Sequence, residues 1–288
     1  MFIAQTKAEL SSCAHTWKNE NRRIALVPTM GSLHEGHLSL VRIAKKQADK
    51  VIVSIFVNPT QFGPREDLAA YPRNETRDLS LCEQEGVDAV FLPTPTEMYA
   101  SDASVTLAES TLSKTLCGRT RPSHFQGVLT VVNKLFNISR ADVAVFGMKD
   151  AQQLAVIQRM VRDLDIPIQI IPAPILREAD GLAISSRNAY LTPEQRQQAL
   201  CLRRALDLAE TAWLQGHTAL DPILAKIRTV IEETPETELD YIAAVDAATL
   251  TPVTALRTGV LIALAVKIGH TRLIDNTVLS SPKGNPIP

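Results

Sequence analysis

The sequence predicts an α/β protein, with a doubly wound, mainly parallel sheet followed by a smaller α+β domain. Three observations carry that prediction. Apolar runs of strand length alternate with amphipathic helical patterns through the first 175 residues, the signature of successive βαβ units. Loops rich in polar and glycine residues follow the runs that end at Val27, Val57 and Phe146, the strand ends at which an open parallel sheet collects its ligands. Beyond about residue 176 the alternation gives way to long helical patterns and then to two strand-like runs.

Taken in order, 24–28 reads as the first buried strand, Gly31 permits a turn, and Leu38, Leu40, Val41 and Ala44 recur at helical spacing within 36–48. Strands at 51–57, 88–92, 142–146 and 168–172 then alternate with helices over 75–85, 125–139 and 149–163. A boundary near Pro174 separates this domain, 1–175, from a second, 176–288. There a loop holding Ser185, Ser186 and Arg187 leads into Thr192-Pro193-Glu194-Gln195, a capping box with proline at the first helical position, and a helix to about Gln215. Asp221-Pro222 starts another helix, and 240–245 and 260–267 read as strands. The segment 281–288 is too rich in Pro and Gly to pack as an element and is expected to fray.

Composition excludes several classes of function. The chain has 288 residues, 45% of them apolar, enough for one large or two ordinary cores. Thirty basic residues nearly balance 31 acidic ones, so the charge excess of a dedicated nucleic-acid binder is missing, and no nucleic-acid partner is expected. Apolar stretches such as 260–266 are strand-sized, well short of the roughly 20 residues that span a bilayer. The first ten residues lack the basic start and long apolar core of a signal peptide. Cys13, Cys82, Cys117 and Cys201 are scattered, which suits unpaired thiols in a reducing compartment. The expectation is a cytoplasmic protein with no membrane partner.

The chemistry concentrates at strand ends. In 28–37, Pro-Thr-Met-Gly-Ser-Leu-His-Glu-Gly-His, two imidazoles three residues apart stand where a helix begins. Free N–H groups and the dipole there favour an anion, and either imidazole can donate to phosphate oxygen. Ser32 and Glu35 also fit a capping box, and both readings can hold together. Residues 146–150, Phe-Gly-Met-Lys-Asp, repeat the strand-turn-helix pattern, so Lys149 can reach phosphates from a second helix start, while Asp150 suits either a helix cap or a ligand contact. Taken alone, Ser185-Ser186-Arg187 reads as an ordinary solvated loop, and Gln61 and Gln153 as surface glutamines.

Six blocks together resemble the pantoate–β-alanine ligase family, in that family's order and over nearly the whole chain. They are 28–37 with its His-Glu-Gly-His, 54–63 (Ser-Ile-Phe-Val-Asn-Pro-Thr-Gln-Phe-Gly), 121–128 (Arg-Pro-Ser-His-Phe-Gln-Gly-Val), 146–154 (Phe-Gly-Met-Lys-Asp-Ala-Gln-Gln-Leu), 184–188 (Ile-Ser-Ser-Arg-Asn) and 271–276 (Thr-Arg-Leu-Ile-Asp-Asn). The resemblance implies a Rossmann-like first domain, a C-terminal lid domain and a homodimer. It implies that ATP activates pantoate as a pantoyl adenylate, releasing pyrophosphate, and that β-alanine then displaces AMP to give pantothenate.

Residue roles follow from the same resemblance. ATP contacts fall on Met30, Gly31, Ser32, Leu33, His34, Glu35, Gly36 and His37, on Gly147, Met148, Lys149 and Asp150, and on Leu176, Ile184, Ser185, Ser186 and Arg187. Of these, His34, His37, Lys149, Ser185, Ser186 and Arg187 are the catalytic set, with His37 as proton donor and Asp150 near ribose hydroxyls. Gln61 and Gln153 match pantoate contacts, with Asn58 and Arg121 as weaker substrate-binding candidates. Mg²⁺ is expected with ATP, because a hard cation normally bridges its phosphates, and Asp78 matches one acidic position of the family, although a helix-surface aspartate is the commoner reading. Met148 stands where the family often has Glu, and Cys117 where an acidic residue is frequent.

Two rival readings share part of this pattern. A nucleotidyltransferase that adenylates a phosphate explains His34 and His37 but not the paired glutamines. A non-catalytic ATP binder explains Met148 but not the retained His37, Lys149 and Ser185.

Overall fold

The computed structural model describes residues 1–64 and 66–280, and the tail expected to fray, 281–288, lies outside them. The chain divides into two compact units. Met1–Lys114, Gly118–Met148 and Val156–Leu176 form the first, and Thr115–Cys117, Lys149–Ala155 and the chain from Arg177 onward form the second.

In chain order the parallel-sheet region runs β1 (Phe2–Ala4), α1 (Lys7–Asn19), β2 (Ile24–Thr29), α2 (Glu35–Lys45), β3 (Lys50–Ile55), α3 (Glu75–Gln84), β4 (Ala89–Phe91), α4 (Pro95–Met98), α5 (Cys117–Thr120), α6 (His124–Ser139), β5 (Val143–Gly147), α7 (Ala151–Asp163) and β6 (Gln169–Ala173). Six parallel strands lie in the order β1-β4-β3-β2-β5-β6. The expected strands and helices sit where the pattern placed them, with ends moved by a few residues. β1, α1, α4 and α5 are additions. A three-residue edge strand with Phe2 and Ile3 exposed has no buried alternation to read, and α1 buries only Leu10 and Ala14 behind its Thr6–Glu9 capping box.

The strands read as continuous apolar runs because both faces are covered. On one face Ala25, Val27, Val51, Val53 and Ile55 pack with Leu40, Val41 and Ala44 of α2. The alternate positions Ile24, Leu26 and Ile52, equally buried, turn to the other face.

Strand order reverses at β2, which lies between β3 and β5, so the ligand crevice opens at the carboxyl ends of β2 and β5. Proline helps to open it. β2 pairs with β5 at Ala25 and Leu26, and Pro28, with no N–H to give, lies beyond those pairs.

The second unit contains α8 (Pro193–Gln198), α9 (Leu200–Leu214), α10 (Asp221–Glu232), β7 (Thr237–Asp246), β8 (Val260–Ile268) and β9 (Thr271–Val278), with the strands antiparallel in the order β7-β8-β9. The single helix expected to about Gln215 is interrupted at Ala199, whose backbone stays helical at φ −58°, ψ −22°, so α8 and α9 form one run with an irregular turn. β8 is the apolar centre of the sheet, and Ile262, Leu264 and Val266 pack with Leu202, Leu206 and Ile227 of the helices. β9 escapes a hydrophobic pattern because it buries Asp275 and Asn276.

Candidate active site

The loop after β2 is shaped by a carboxylate from another helix. Thr29 Oγ1 donates to Ser54 O at 2.8 Å and accepts from Gly31 N at 3.2 Å. Gly31 and Ser32 then take left-handed backbone conformations, φ +78° and +50°. Glycine is needed at 31, where a Cβ would lie 3.0 Å from both Asp78 Oδ2 and Ile55 Cγ2 and would also strain the backbone. Asp78 of α3 accepts from Ser32 N and Leu33 N, each at 2.8 Å, while Arg77 donates to Leu33 O at 2.8 Å. The backbone thus hands its first free N–H groups to Asp78.

That arrangement corrects two expectations. Ser32 and Glu35 do not form a capping box: α2 begins at Glu35 with His34 as its N-cap and no side-chain cap bond, and Glu35 pairs with Arg42. Asp78 is not a surface aspartate, being 1% exposed with both oxygens engaged on the loop. The imidazoles do come together. His34 and His37 are half-buried and stacked, with ring centroids 4.0 Å apart and planes 24° from parallel. Met30, Ser32 and Gly36 are half-buried, Glu35 is exposed, and Leu33 anchors the loop in the core.

After β3, the short turn Pro59–Gln61 brings Asn58 and Gln61 into a buried polar cluster. Asn58 Nδ2 donates to Gln61 Oε1 at 3.1 Å and to Gly127 O at 3.2 Å. Gln61 Nε2 reaches Met30 Sδ at 3.0 Å, joining this cluster to the His-containing loop. The turn can lie against α6 because residue 127 is glycine, where a Cβ would meet Thr60 O at 2.5 Å and Gln61 N at 2.7 Å.

Arg121 donates to both oxygens of Glu66 and to Gln61 O at 3.3 Å, where His124 Nδ1 also lies at 2.8 Å. Burial pushes the Glu66 carboxyl up, but the hydrogen bonds and charge of Arg121, with Gly63 and His124 assisting, outweigh it and hold its pKa below the usual 4.5. The structure thus gives Arg121 a partner and a place at the Gln61 main chain.

Gly147 ends β5, and Met148, Lys149 and Asp150 form a single 3₁₀ turn before α7. Leu176, 36% exposed, lies three residues past β6.

In the second unit Asn276 Nδ2 donates to Lys149 O at 2.8 Å and fixes its backbone. No carboxylate among the described residues forms an ion pair with the Lys149 ammonium, Asp150 is exposed and Gln153 is half-buried. Arg177 grips buried Asp275 through two hydrogen bonds, 2.6 and 3.0 Å, and donates to Gly181 O at 3.1 Å. A bridge from Arg177 to Ala183 closes this loop. Asn188 then donates to Ala183 O and Glu178 Oε1 at 3.1 and 3.2 Å. Residues 184–187 are half-buried beside it, with Ser185 Oγ accepting from Arg187 N at 3.3 Å to open the turn Ser186–Tyr190. Asp275, Asn276, Arg177 and Asn188 therefore serve as scaffolding for the candidate phosphate groups. Five of the eight residues of β9 are polar, so no apolar pattern marks Asp275 and Asn276 for burial, and in the sequence they stand out only as part of the 271–276 block.

The family model for pantoate-beta-alanine ligase matches residues 2–278. The chain belongs to the pantoate-beta-alanine ligase family. It is 54% identical to a pantothenate synthetase of Trichlorobacter lovleyi over 262 residues, which cover 91% of this chain and 93% of that one. It is 50% identical to one of Thermotoga petrophila over 279 residues, 97% of this chain and all of the other. A crystal structure of pantothenate synthetase from Thermus thermophilus matches with a TM-score of 0.92 at 40% identity, covering 98% of this chain and 100% of that one. A Francisella tularensis pantoate-beta-alanine ligase, complexed with beta-gamma ATP and beta-alanine, matches at 0.81 and 34%, covering 96% and 97%. The chain is accordingly an ATP-dependent ligase that forms pantothenate.

The position at which the ligase family is expected to carry acid, Cys117, has a defined place in the second unit. Its Sγ lies 3.3 Å from the Tyr241 hydroxyl and 3.6 Å from an Arg272 nitrogen. Arg272 also donates to Asp240 at 2.6 and 3.0 Å, so a carboxylate is present for its charge without one at 117. Burial, followed by the nearness of Cys117, pushes the Tyr241 hydroxyl well above its usual range and keeps it protonated.

Proposed function

We propose that the chain makes pantothenate in two chemical steps. A pantoate carboxylate oxygen attacks the α-phosphorus of ATP, the bond to the β-phosphate oxygen breaks, and pyrophosphate leaves. The neutral amine of β-alanine then attacks the acyl carbon of pantoyl adenylate, the acyl–oxygen bond breaks, AMP leaves, and the amine gives up a proton. The first step joins two anions, so it needs donors and positive charge around the phosphates.

The observation that carries this reading is the stacked His34–His37 pair at the start of α2, at the carboxyl end of β2 where strand order reverses. His34 and His37 are proposed to donate to the phosphates, with His37 protonating the leaving group. Met30 through Gly36 and Gly147 through Asp150 are proposed to line the nucleotide. Lys149, Ser185, Ser186 and Arg187 are proposed to neutralise the triphosphate, with Leu176 and Ile184 against adenine. Gln61, Gln153, Asn58 and Arg121 are proposed to hold pantoate. Residues 1–175 would bind ATP and pantoate, with 176–288 as the lid domain.

Magnesium is proposed to arrive on the nucleotide. Asp78 does not fit as its ligand, since its oxygens serve Ser32 and Leu33, and no cluster of three or more potential ligands exists among the described residues. ATP phosphates and water would supply its coordination. No helix among the described residues is long and apolar enough to cross a membrane. A cytoplasmic homodimer remains our proposal.

Rapid quench with enzyme in excess over labelled ATP tests the order. Pyrophosphate and enzyme-bound pantoyl adenylate are expected from ATP and pantoate alone, followed by AMP and pantothenate once β-alanine is added. Pyrophosphate release that strictly requires β-alanine would exclude the two-step scheme.

A further inference from the structure

The two ends of an amide have opposite hydrogen-bonding character, and groups of fixed polarity decide which way Asn58 faces. The Thr60 main-chain N–H can only donate, and it reaches Asn58 Oδ1 at 3.4 Å. The Gly127 carbonyl can only accept, and it receives Asn58 Nδ2 at 3.2 Å. A half-turn of the amide would set donor against donor and acceptor against acceptor. Nδ2 therefore faces Gln61 and donates to its Oε1 at 3.1 Å. That contact uses the acceptor end of Gln61 and turns its Nε2 outward, towards Met30 Sδ at 3.0 Å, a weak acceptor.

Tyr99, which follows α4, completes the chain of contacts from a distant segment. Its hydroxyl donates to Asn58 Oδ1 at 2.8 Å, beside the Thr60 hydroxyl at 2.9 Å. Burial raises the pKa of that phenol, so it stays protonated and remains a donor.

We propose that Tyr99 is a positioning residue for the ligase reaction: its hydroxyl holds Asn58, Asn58 holds Gln61, and Gln61 so held presents its amide protons to pantoate. Gln61 then offers its Nε2 protons to a lone pair on a pantoate oxygen, while its Oε1 is engaged by Asn58. Among oriented dipoles in a row, each contact polarises the next, so loss at Tyr99 is felt at Gln61. The inference rests on the reading of Gln61 as a pantoate contact.

Steady-state kinetics on Tyr99→Phe, Gln61→Ala and the double variant test it. Tyr99→Phe keeps the ring and removes one hydrogen bond, so the pantoate KM should rise about threefold to tenfold, with the ATP KM unchanged and the melting temperature lower by no more than about 3 °C. In the Gln61→Ala background the same substitution should add nothing, because the group it positions is gone. Asn58→Asp, which cannot donate to Gln61 Oε1, should raise the pantoate KM further than Tyr99→Phe. An unchanged pantoate KM in Tyr99→Phe, or an equal rise in both backgrounds, would overturn the relay while leaving Gln61 at the substrate. An unchanged pantoate KM in Gln61→Ala would instead remove Gln61 from the substrate, and the relay with it.

Discussion

Asp78→Asn replaces one oxygen by an amide of nearly the same shape, so its effect isolates what the carboxylate does for the His-containing loop. In the native protein two charge-assisted bonds, each 2.8 Å, run from Ser32 N and Leu33 N to the two oxygens of a residue that is 1% exposed. Asparagine can accept from only one of those N–H groups and must present its own N–H₂ to the other. One bond is lost outright, leaving a desolvated donor that costs about 1–3 kcal/mol, and the surviving bond loses its ionic character, worth about another 1 kcal/mol. The sum is about 2–4 kcal/mol, a fall of roughly 3–7 °C in melting temperature for a chain of this size.

The same substitution releases the left-handed turn at Gly31 and Ser32 that delivers His34 to the start of α2. The ATP KM should therefore rise with the loss of stability, and the magnesium dependence of the rate should keep its midpoint. Thermal unfolding and ATP titration at several magnesium concentrations separate the two roles of Asp78. Wild-type stability together with a shifted magnesium midpoint would refute the loop-holding argument and restore the carboxylate as a metal ligand.

His37→Ala should leave the fold intact, since the ring is half-buried and stacked on His34 rather than set in the core, and lower turnover on the order of 10²- to 10³-fold; near-normal kcat in a folded variant removes His37 from the chemistry. Backbone hydrogen exchange at 185–187 should slow when ATP is bound, as the two hydroxyls and the guanidinium gain phosphate partners, and equal exchange with and without ATP contradicts their placement on the nucleotide. Glu66 has a folded pKa below its ordinary 4.5, so its pairing with Arg121 stabilises the protein fully above that value and is lost as pH falls through the lower one. Urea midpoints between pH 5 and 3 should fall more steeply for the wild type than for Glu66→Gln, and parallel slopes would rule the pair out as a source of acid sensitivity.

The parallel sheet was legible because burial on both faces leaves an unmistakable apolar run: Ile24 to Val27 and Val51 to Ile55 admit few other readings. β1 was not, since three residues at an edge, two of them exposed, carry no periodicity. β9 was hidden for the opposite reason. Arg177 satisfies Asp275 from far along the chain, and a partner so remote leaves no local mark on the strand that needs it.

The candidate reactive groups were easier to single out than the groups that hold them. His34 and His37 announce themselves by type and spacing, whereas Asp78 looked like surface because burial of a charge depends on its partners, here two backbone N–H groups 45 and 46 residues away. The capping-box reading failed on the same point. Ser32 and Glu35 had the right spacing, but a buried carboxylate had already taken the N–H of Ser32 itself and of its neighbour Leu33, and it fixed the turn in a conformation that starts α2 after His34. Gly127 adds a third case: in sequence it is a helix-interior glycine that weakens α6, and only the 2.5 Å approach of a Cβ to Thr60 O shows why a side chain is excluded. Each of these residues is selected by backbone from another segment. Local pattern can bring candidate groups such as His34 and His37 to notice, but it is long-range backbone demand that decides which polar residue is buried and which glycine stays bare.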